Sequence, residues 1–324
     1  MKVGVIGAGA WGTALAQTAA AGGEVLLWAR DPALAETINR TRANPSYLAG
    51  VPLSGRIRAT PALHDLAACD TLLVVTPAQF VRSVLAQAPA GRTLVLCAKG
   101  IEAETGLLMS EVAPQVRPEA PVAVLSGPSF AHEVAAGQPT ALTLACDDEQ
   151  ACSEICARLA LPAFRLYRSS DVVGAEIGGA VKNVLAIACG VVAGLGLGEN
   201  ARAALISRGF AEMSRFGIAR GARPDTLAGL AGLGDLVLTC SSTQSRNFSL
   251  GVGLGRGASA KELLADRRTV AEGAFTAPVL RREAAAADVE MPIVEAVCAL
   301  LAGKAAVPEV VGALLARPPR SEDR

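Results

Sequence analysis

Five small groups of residues have the types and spacing to do chemistry. The first is Gly7-Ala8-Gly9-Ala10-Trp11-Gly12, a G-x-G-x-x-G turn that begins right after a short apolar run. Gly7 permits a tight turn, and Gly9 lets a pyrophosphate approach the backbone. Gly12 lets the following helix pack on a sheet while its first N–H groups meet the phosphates. The second is Lys182, alone in the apolar run Ile177-Gly178-Gly179-Ala180-Val181-Lys182-Asn183-Val184. Only five of the 30 basic residues are lysines, and lysine can exchange a proton where arginine cannot. One turn before it, Gly178 and Gly179 predict a groove without side chains, wide enough for a nicotinamide ring or a small substrate. Burial lowers such an ammonium's pKa and a neighbouring carboxylate raises it, so sequence gives no working value.

The third group supplies a carboxylate. Asp235 is the only charge in Ala231-Gly232-Leu233-Gly234-Asp235-Leu236-Val237-Leu238-Thr239-Cys240. It can orient Lys182, accept a hydrogen bond from a substrate hydroxyl, or cap a helix. Fourth comes Ser245-Arg246-Asn247, in which a guanidinium fork flanked by hydroxyl and amide donors suits a phosphate. The fifth, Arg30-Asp31, closes the second apolar run. An acidic residue there holds the ribose 2′-hydroxyl of NAD, whereas arginine suits the 2′-phosphate of NADP. With Arg30 first, NADP(H) is the expected cofactor and NAD(H) is tolerated.

Those groups need elements to position them. Short apolar runs alternating with helical patterns predict strands at 2–6, 24–29, 71–75, 93–98, 122–125, 141–146 and 163–167, with a helix at 11–21. Three strand ends, Thr76-Pro77, Lys99-Gly100 and Ser126-Gly127-Pro128, are polar and point the same way. In a parallel sheet that is the ligand edge. From Ser169-Ser170-Asp171 the pattern becomes helical, with helices at 171–194, 200–216, 261–265, 276–287 and 292–301. The expected architecture is α/β, a doubly wound, mostly parallel dinucleotide-binding sheet over residues 1–168. An all-helical substrate and catalytic domain over 169–316 and a disordered polar tail over 317–324 follow it.

Composition narrows the field. Thirty basic residues balance 30 acidic ones, which removes the electrostatic case for a nucleic-acid partner. Cys152 and Cys156 lie one helical turn apart, but no second pair or nearby histidine completes a metal site. The other histidine-based option fails too, because His64 and His132 are the only two. No metal is expected. The uncharged stretch after Lys2 superficially suits a secretory signal, yet Gly7, Gly9, Gly12, Thr13, Gln17 and Thr18 interrupt it. Val184 to Gly198 is too short and glycine-rich to span a bilayer. A soluble cytoplasmic protein without stable membrane insertion is the expectation.

Taken together, the motifs resemble the bacterial NAD(P)-dependent glycerol-3-phosphate dehydrogenases along nearly the whole chain. The matching segments are GAGAWGTALA from Gly7, KGIEAETG from Lys99, SGPSFAHEVA from Ser126 and GGAVKNVLAIACG from Gly178. ENARAALISRGFAEMSRFG from Glu199, AGLGDLVLTC from Ala231 with QSRN, VAEG from Val270 and EMPI from Glu290 complete them. The resemblance implies reversible interconversion of dihydroxyacetone phosphate and sn-glycerol 3-phosphate, supply of glycerol phosphate for phospholipids, and a homodimer. It implies that Lys182 is the proton donor and acceptor. It assigns Lys99, Gly127, Ser129, Asp235, Ser245, Arg246 and Asn247 to the substrate, with Asn183 and Thr239 nearby. It assigns Trp11, Arg30, Lys99, Ala131, Arg246, Val270 and Glu272 to the cofactor. Four positions depart from the family pattern: Ser129 where threonine is common, Phe248-Ser249 where further arginine is expected, and Arg30 where some relatives are neutral or carry histidine. A carboxylate-directed β-hydroxyacid dehydrogenase and a non-catalytic NADP(H) sensor are the rival readings. The GLGDLVLTC block with QSRN argues against the first, and Lys182, Asp235 and Arg246 together argue against the second.

Overall fold

The computed structural model describes residues 2–265 and 271–318. Its first part runs β1 (Val3–Ile6), α1 (Ala10–Ala19), β2 (Val25–Trp28), α2 (Pro32–Thr41), β3 (Ile57–Thr60), β4 (Thr71–Val74) and α3 (Val81–Gln87). Then come β5 (Thr93–Leu96), α4 (Met109–Val116), β6 (Val122–Ser126), α5 (Ala131–Ala135), β7 (Thr140–Ala145), α6 (Glu149–Leu159) and β8 (Phe164–Ser169). The strands form one eight-stranded sheet in the order β3-β2-β1-β4-β5-β6-β7-β8. All neighbours are parallel except β6 and β7. β1 and β4 are buried at every residue, as expected where helices cover both faces of a parallel sheet. The strand order reverses between β1 and β4. The crevice beyond their carboxyl ends is therefore the natural ligand site.

β3 and α2 were not anticipated from the sequence. β3 is an edge strand of four residues interrupted by the exposed Arg58, so its apolar signal is too short to read.

The second part is helical. It comprises α7 (Val172–Gly194), α8 (Glu199–Ala219), α9 (Pro224–Ala228), a π-helical turn at Leu230–Gly234, α10 (Asp235–Cys240), α11 (Arg246–Gly255), α12 (Ala260–Leu263), α13 (Glu272–Ala286), α14 (Pro292–Leu301) and α15 (Val307–Leu315). Of the expected tail, residues 319–324 lie outside the described residues, while Arg317 pairs with Glu290 at 3.4 Å. α7 starts where Asp171 caps the Gly174 amide at 2.8 Å. It is buried from Gly174 to Val191 because α8, α10, α11, α13 and α14 all pack around it. It is also the one described helix long and apolar enough to cross a membrane, with 78% of its apolar window buried inside the protein. That marks the core helix of a folded domain.

The glycine-rich stretch 246–255, which the sequence pattern does not mark as a helix, becomes α11 because its glycines are contact points with α7. A Cβ at Gly190 would collide with the Phe248 carbonyl, and one at Gly251 with the Ile187 carbonyl. Gly194 and Gly255 face each other in the same way one turn further on. α7 and α11 thus touch backbone to backbone, and that contact outweighs the low helix propensity of glycine. Gly251→Ala is expected to cost about 1–3 kcal/mol through overpacking. Thermal unfolding of the variant checks this, and an unchanged melting temperature would refute the tight crossing.

Candidate active site

The glycine turn sits at the switch point. Gly7 adopts φ +115°, a conformation that favours glycine, and a Cβ there would press on the backbone of Val75 and Thr76 just past β4. A Cβ on Gly12 would strike the Gly7 carbonyl, so α1 can only meet the sheet this closely with glycine there. Gly9 has nothing within 4 Å of where its Cβ would be, and as N-cap it offers no side chain to the first-turn amides. Ala10 and Trp11 open that turn. Along the same edge, Trp11 Nε1 and Thr76 Oγ1 are buried without a hydrogen-bond partner. An open glycine above free helix-end amides, with two orphaned polar atoms beside it, fits a dinucleotide.

Asn44 holds this turn, and sequence reasoning missed it. Its buried side-chain amide donates to the Ala8 carbonyl at 2.9 Å and to Thr13 Oγ1 at 2.8 Å. An asparagine before a proline in a loop reads as an ordinary turn former, so nothing local flagged it. At the end of β2, Arg30 and Asp31 part company. Asp31 Oδ1 accepts from the Ala33 amide at 3.0 Å and caps α2, whereas Arg30 is exposed.

Across the crevice the charged residues converge. Lys182 is 7% exposed and donates to Asp235 Oδ1 at 2.6 Å and to Thr239 Oγ1 at 2.8 Å. Lys99, after β5, donates to the other oxygen of Asp235 at 2.7 Å and to the Gly127 carbonyl at 3.0 Å. One buried carboxylate therefore holds two ammonium groups, one from each half of the chain. Burial pushes Lys182 down to about 8, with Lys99 adding to the shift and Asp235 opposing it. Burial also opposes ionisation of Asp235, but the ammonium groups of Lys182 and Lys99 outweigh it and hold its carboxyl below the usual range.

The expected open groove beside Lys182 is not there. A Cβ at Gly178 would collide with the backbone of Ala231 and Gly232, and one at Gly179 would press on Ser126 Oγ and the Lys99 stem. The glycines let the π-helical turn and Lys99 come close to α7, and this close approach delivers Asp235 and Lys99 to Lys182. π-helical turns often occur at functional sites. Nor does Asp235 act as a side-chain cap: it is the first residue of α10, and its carboxylate faces the lysines.

Of the other residues expected at the site, Gly127, Ser129 and Asn183 are tied to this cluster by hydrogen bonds. Gly127, at φ +141°, turns its carbonyl toward Lys99, and Ser129 Oγ donates to the same oxygen at 3.1 Å. Ala131 begins α5. Asn183 donates to the Lys99 carbonyl at 3.0 Å and accepts from Asn247 Nδ2 at 2.9 Å. Asn247 Oδ1 in turn accepts from the Gly273 amide at 2.9 Å. These two asparagines, expected beside the substrate, thus form a relay from α13 through α11 and α7 to the Lys99 loop. Ser245 is buried and caps α11 through the Phe248 amide at 3.2 Å. Arg246, the first residue of α11, is exposed. Glu272 reaches back to the sheet half, accepting from the Ala78 amide at 3.1 Å. Burial raises its carboxyl, against the pull of Arg246, Lys182 and Lys99. Val270 lies outside the described residues. Among the described residues no group of three or more His, Cys, Asp and Glu could hold a metal ion.

The chain matches known proteins along both of its halves. Residues 2–152 match the model of the NAD-dependent glycerol-3-phosphate dehydrogenase N-terminus, and residues 171–312 match that of the C-terminus. The chain is 60% identical to a glycerol-3-phosphate dehydrogenase [NAD(P)+] of Erythrobacter litoralis, covering 99% of this chain and 98% of that one. It is 61% identical to the protein of that name from Novosphingobium aromaticivorans, with the same shares covered. Among solved structures, glycerol-3-phosphate dehydrogenase from Coxiella burnetii superposes with a TM-score of 0.93 at 37% identity, over 98% of this chain and 99% of that one. Both halves, including the helices that bring Lys182 and Asp235 to the sheet edge, lie within the matched segments, and the chain belongs to the NAD-dependent glycerol-3-phosphate dehydrogenase family.

Proposed function

We propose that the chain reversibly interconverts dihydroxyacetone phosphate and sn-glycerol 3-phosphate, using NAD(P)(H) bound at the Gly7–Gly12 turn. The observation that carries this reading is the Lys182–Asp235–Lys99 cluster, buried at the ligand edge of the sheet. When bound, the reduced nicotinamide supplies hydride to C2 of the ketone. Lys182, as ammonium, gives its proton to the C2 oxygen as negative charge develops there, and takes it back in the reverse direction. Asp235 keeps Lys182 charged against the cost of burial, and Lys99 adds positive charge at the same place. Thr239 fixes the Lys182 ammonium through its hydroxyl.

Arg246 is the phosphate clamp in this reading. Among the described residues its guanidinium makes no hydrogen bond or close ion pair and only feels the Glu272 carboxyl electrostatically, which leaves the fork available for a dianion. Binding energy gathered there, away from the reacting carbon, fixes C2 for reaction. Ser129, Gly127 and the asparagine relay line the same substrate region. Trp11, Ala131, Glu272 and Val270 belong with the cofactor. NADP(H) is preferred over NAD(H), because Arg30 is exposed and makes no hydrogen bond or ion pair among the described residues, while Asp31 is engaged in capping α2. The chain divides into a dinucleotide-binding domain over 1–168 and a helical domain over 169–316. The family resemblance also supports a cytoplasmic homodimer that supplies glycerol phosphate for phospholipids.

The test is loss of NADPH absorbance with dihydroxyacetone phosphate, repeated with NADH. Activity with neither cofactor would overturn the reading, and faster turnover with NADH would overturn the preference. In the same assay Arg246→Ala is expected to raise KM for the phosphorylated ketone roughly 10- to 150-fold, the worth of a charged hydrogen bond. Turnover of unphosphorylated dihydroxyacetone should barely change. Equal effects on both ketones would refute the clamp.

A further inference from the structure

We propose that Gln79 and Arg82, which do not touch the Lys99 ammonium, are positioning residues that aim it by fastening the loop that follows it. The proposal rests on the role given to Lys99 above. That lysine stands at the start of a long connection: β5 ends at Leu96, α4 begins at Met109, and no helix or strand lies between them. Yet its ammonium must hold a buried carboxylate on the other half of the molecule. A flexible four-carbon stem on an unanchored backbone would lose that geometry to conformational entropy.

The loop is anchored at several points, and the sheet-side anchors come from one turn. The Gln79 side chain donates to the Ile101 carbonyl at 2.7 Å and accepts from the Ala103 amide at 2.9 Å. That two-bond clamp imitates a strand partner. One turn along, Arg82 grips Glu102 with Nε and Nη2, both at 2.8 Å. Thr105 Oγ1 closes on the same carboxylate at 2.6 Å. The Arg82 fork, together with the Thr105 hydroxyl, overcomes partial burial and holds the Glu102 carboxyl below the usual range, so the fork is charged on both sides. From the helical half, Arg282 donates to the Ala103 carbonyl at 3.0 Å and Asn183 to that of Lys99 at 3.0 Å. The same turn presents the Ala78 amide to Glu272. It therefore touches both the Lys99 loop and the carboxylate assigned to the cofactor.

A bracing role without consequence for Lys99 makes different predictions. Lys182 is faced by Asp235 and Cys240 on α10, by Lys99, and by Glu272 on α13. If the Lys99 ammonium retreats, Lys182 loses a repelling neighbour and takes a larger share of Asp235. Its proton is then held more tightly, and the alkaline limb of ketone reduction moves to higher pH.

The experiment compares full-length wild type, Gln79→Ala, Arg82→Ala, Lys99→Ala and Gln79→Ala/Lys99→Ala. It reads kcat, KM for dihydroxyacetone phosphate, the pH profile of kcat/KM and thermal unfolding. Gln79→Ala and Arg82→Ala are each expected to lower kcat/KM about tenfold, a modest misplacement of one group. The alkaline limb should move upward in both. In the Lys99→Ala background Gln79→Ala should have almost no further effect, because the group it aims is gone. Gln79 is neutral, so its variant keeps the test open should Arg82→Ala fold poorly. A loss that adds in full to that of Lys99→Ala, or an unmoved alkaline limb, overturns the positioning role and leaves Lys99's own role standing. A Lys99→Ala enzyme with unimpaired turnover overturns both.

Discussion

Replacing Lys182 with Ala should lower kcat for ketone reduction by about 10²- to 10⁴-fold, the usual worth of a positioned general acid. Cofactor affinity, read by fluorescence titration, should stay within about twofold of wild type, because the glycine turn lies across the crevice and Lys182 does not support it. Asp235 keeps Lys99 as a partner at 2.7 Å, so the variant retains a paired carboxylate and should fold. Lys182→Arg should rescue little: a guanidinium keeps the charge but does not release its proton near neutral pH. Turnover within tenfold of wild type in either variant would remove Lys182 from its role.

The same residue sets the pH dependence. Burial lowers Lys182 to about 8, so the ammonium form needed for ketone reduction disappears as pH rises through that value. The profile of kcat/KM for reduction should fall on its alkaline side near pH 8. Alcohol oxidation needs the free amine and should rise over the same range. A profile for reduction that is flat to pH 10 would place the proton donor elsewhere.

Sequence made the glycine turn legible because its strand, turn and helix are contiguous, and local spacing alone identifies them. Lys182 was legible as one charge in an apolar helix, since burying such a group without a partner is expensive. Its surroundings were not. Gly178 and Gly179 suggest empty space when read locally, and only the fold shows that the π-helical turn and Lys99 occupy it. Asn44, Gln79 and Arg82 gave no signal, because each acts on backbone or side chains 20 or more positions away. α11 was hidden for a related reason. In α11, Gly251 and Gly255 lower helix propensity locally and stabilise through a tertiary contact with α7 that no window of sequence contains.

Asp235→Asn should be the most disruptive conservative change in the protein. Asparagine keeps the shape and can still accept a hydrogen bond, but it leaves two ammonium groups at one site without the carboxylate that pairs with both. Breaking a buried pair in this way costs about 3–5 kcal/mol, and here the penalty falls on two cations that also repel each other. The melting temperature should drop at neutral pH. Without the carboxylate, Lys182 falls below its present value of about 8, while in the unfolded chain it returns to 10.5. Between those values the unfolded state binds more protons than the folded one, so the variant's stability should climb as pH rises toward 10.5. Ketone reduction should move the other way, its alkaline limb shifting below pH 8 as the ammonium is lost earlier. Opposite responses of stability and turnover to the same rise in pH would be hard to obtain from a carboxylate that merely begins a helix. If Asp235→Asn melts like wild type and keeps its alkaline limb near 8, the two lysines do not depend on that carboxylate, and the cluster is not the catalytic centre.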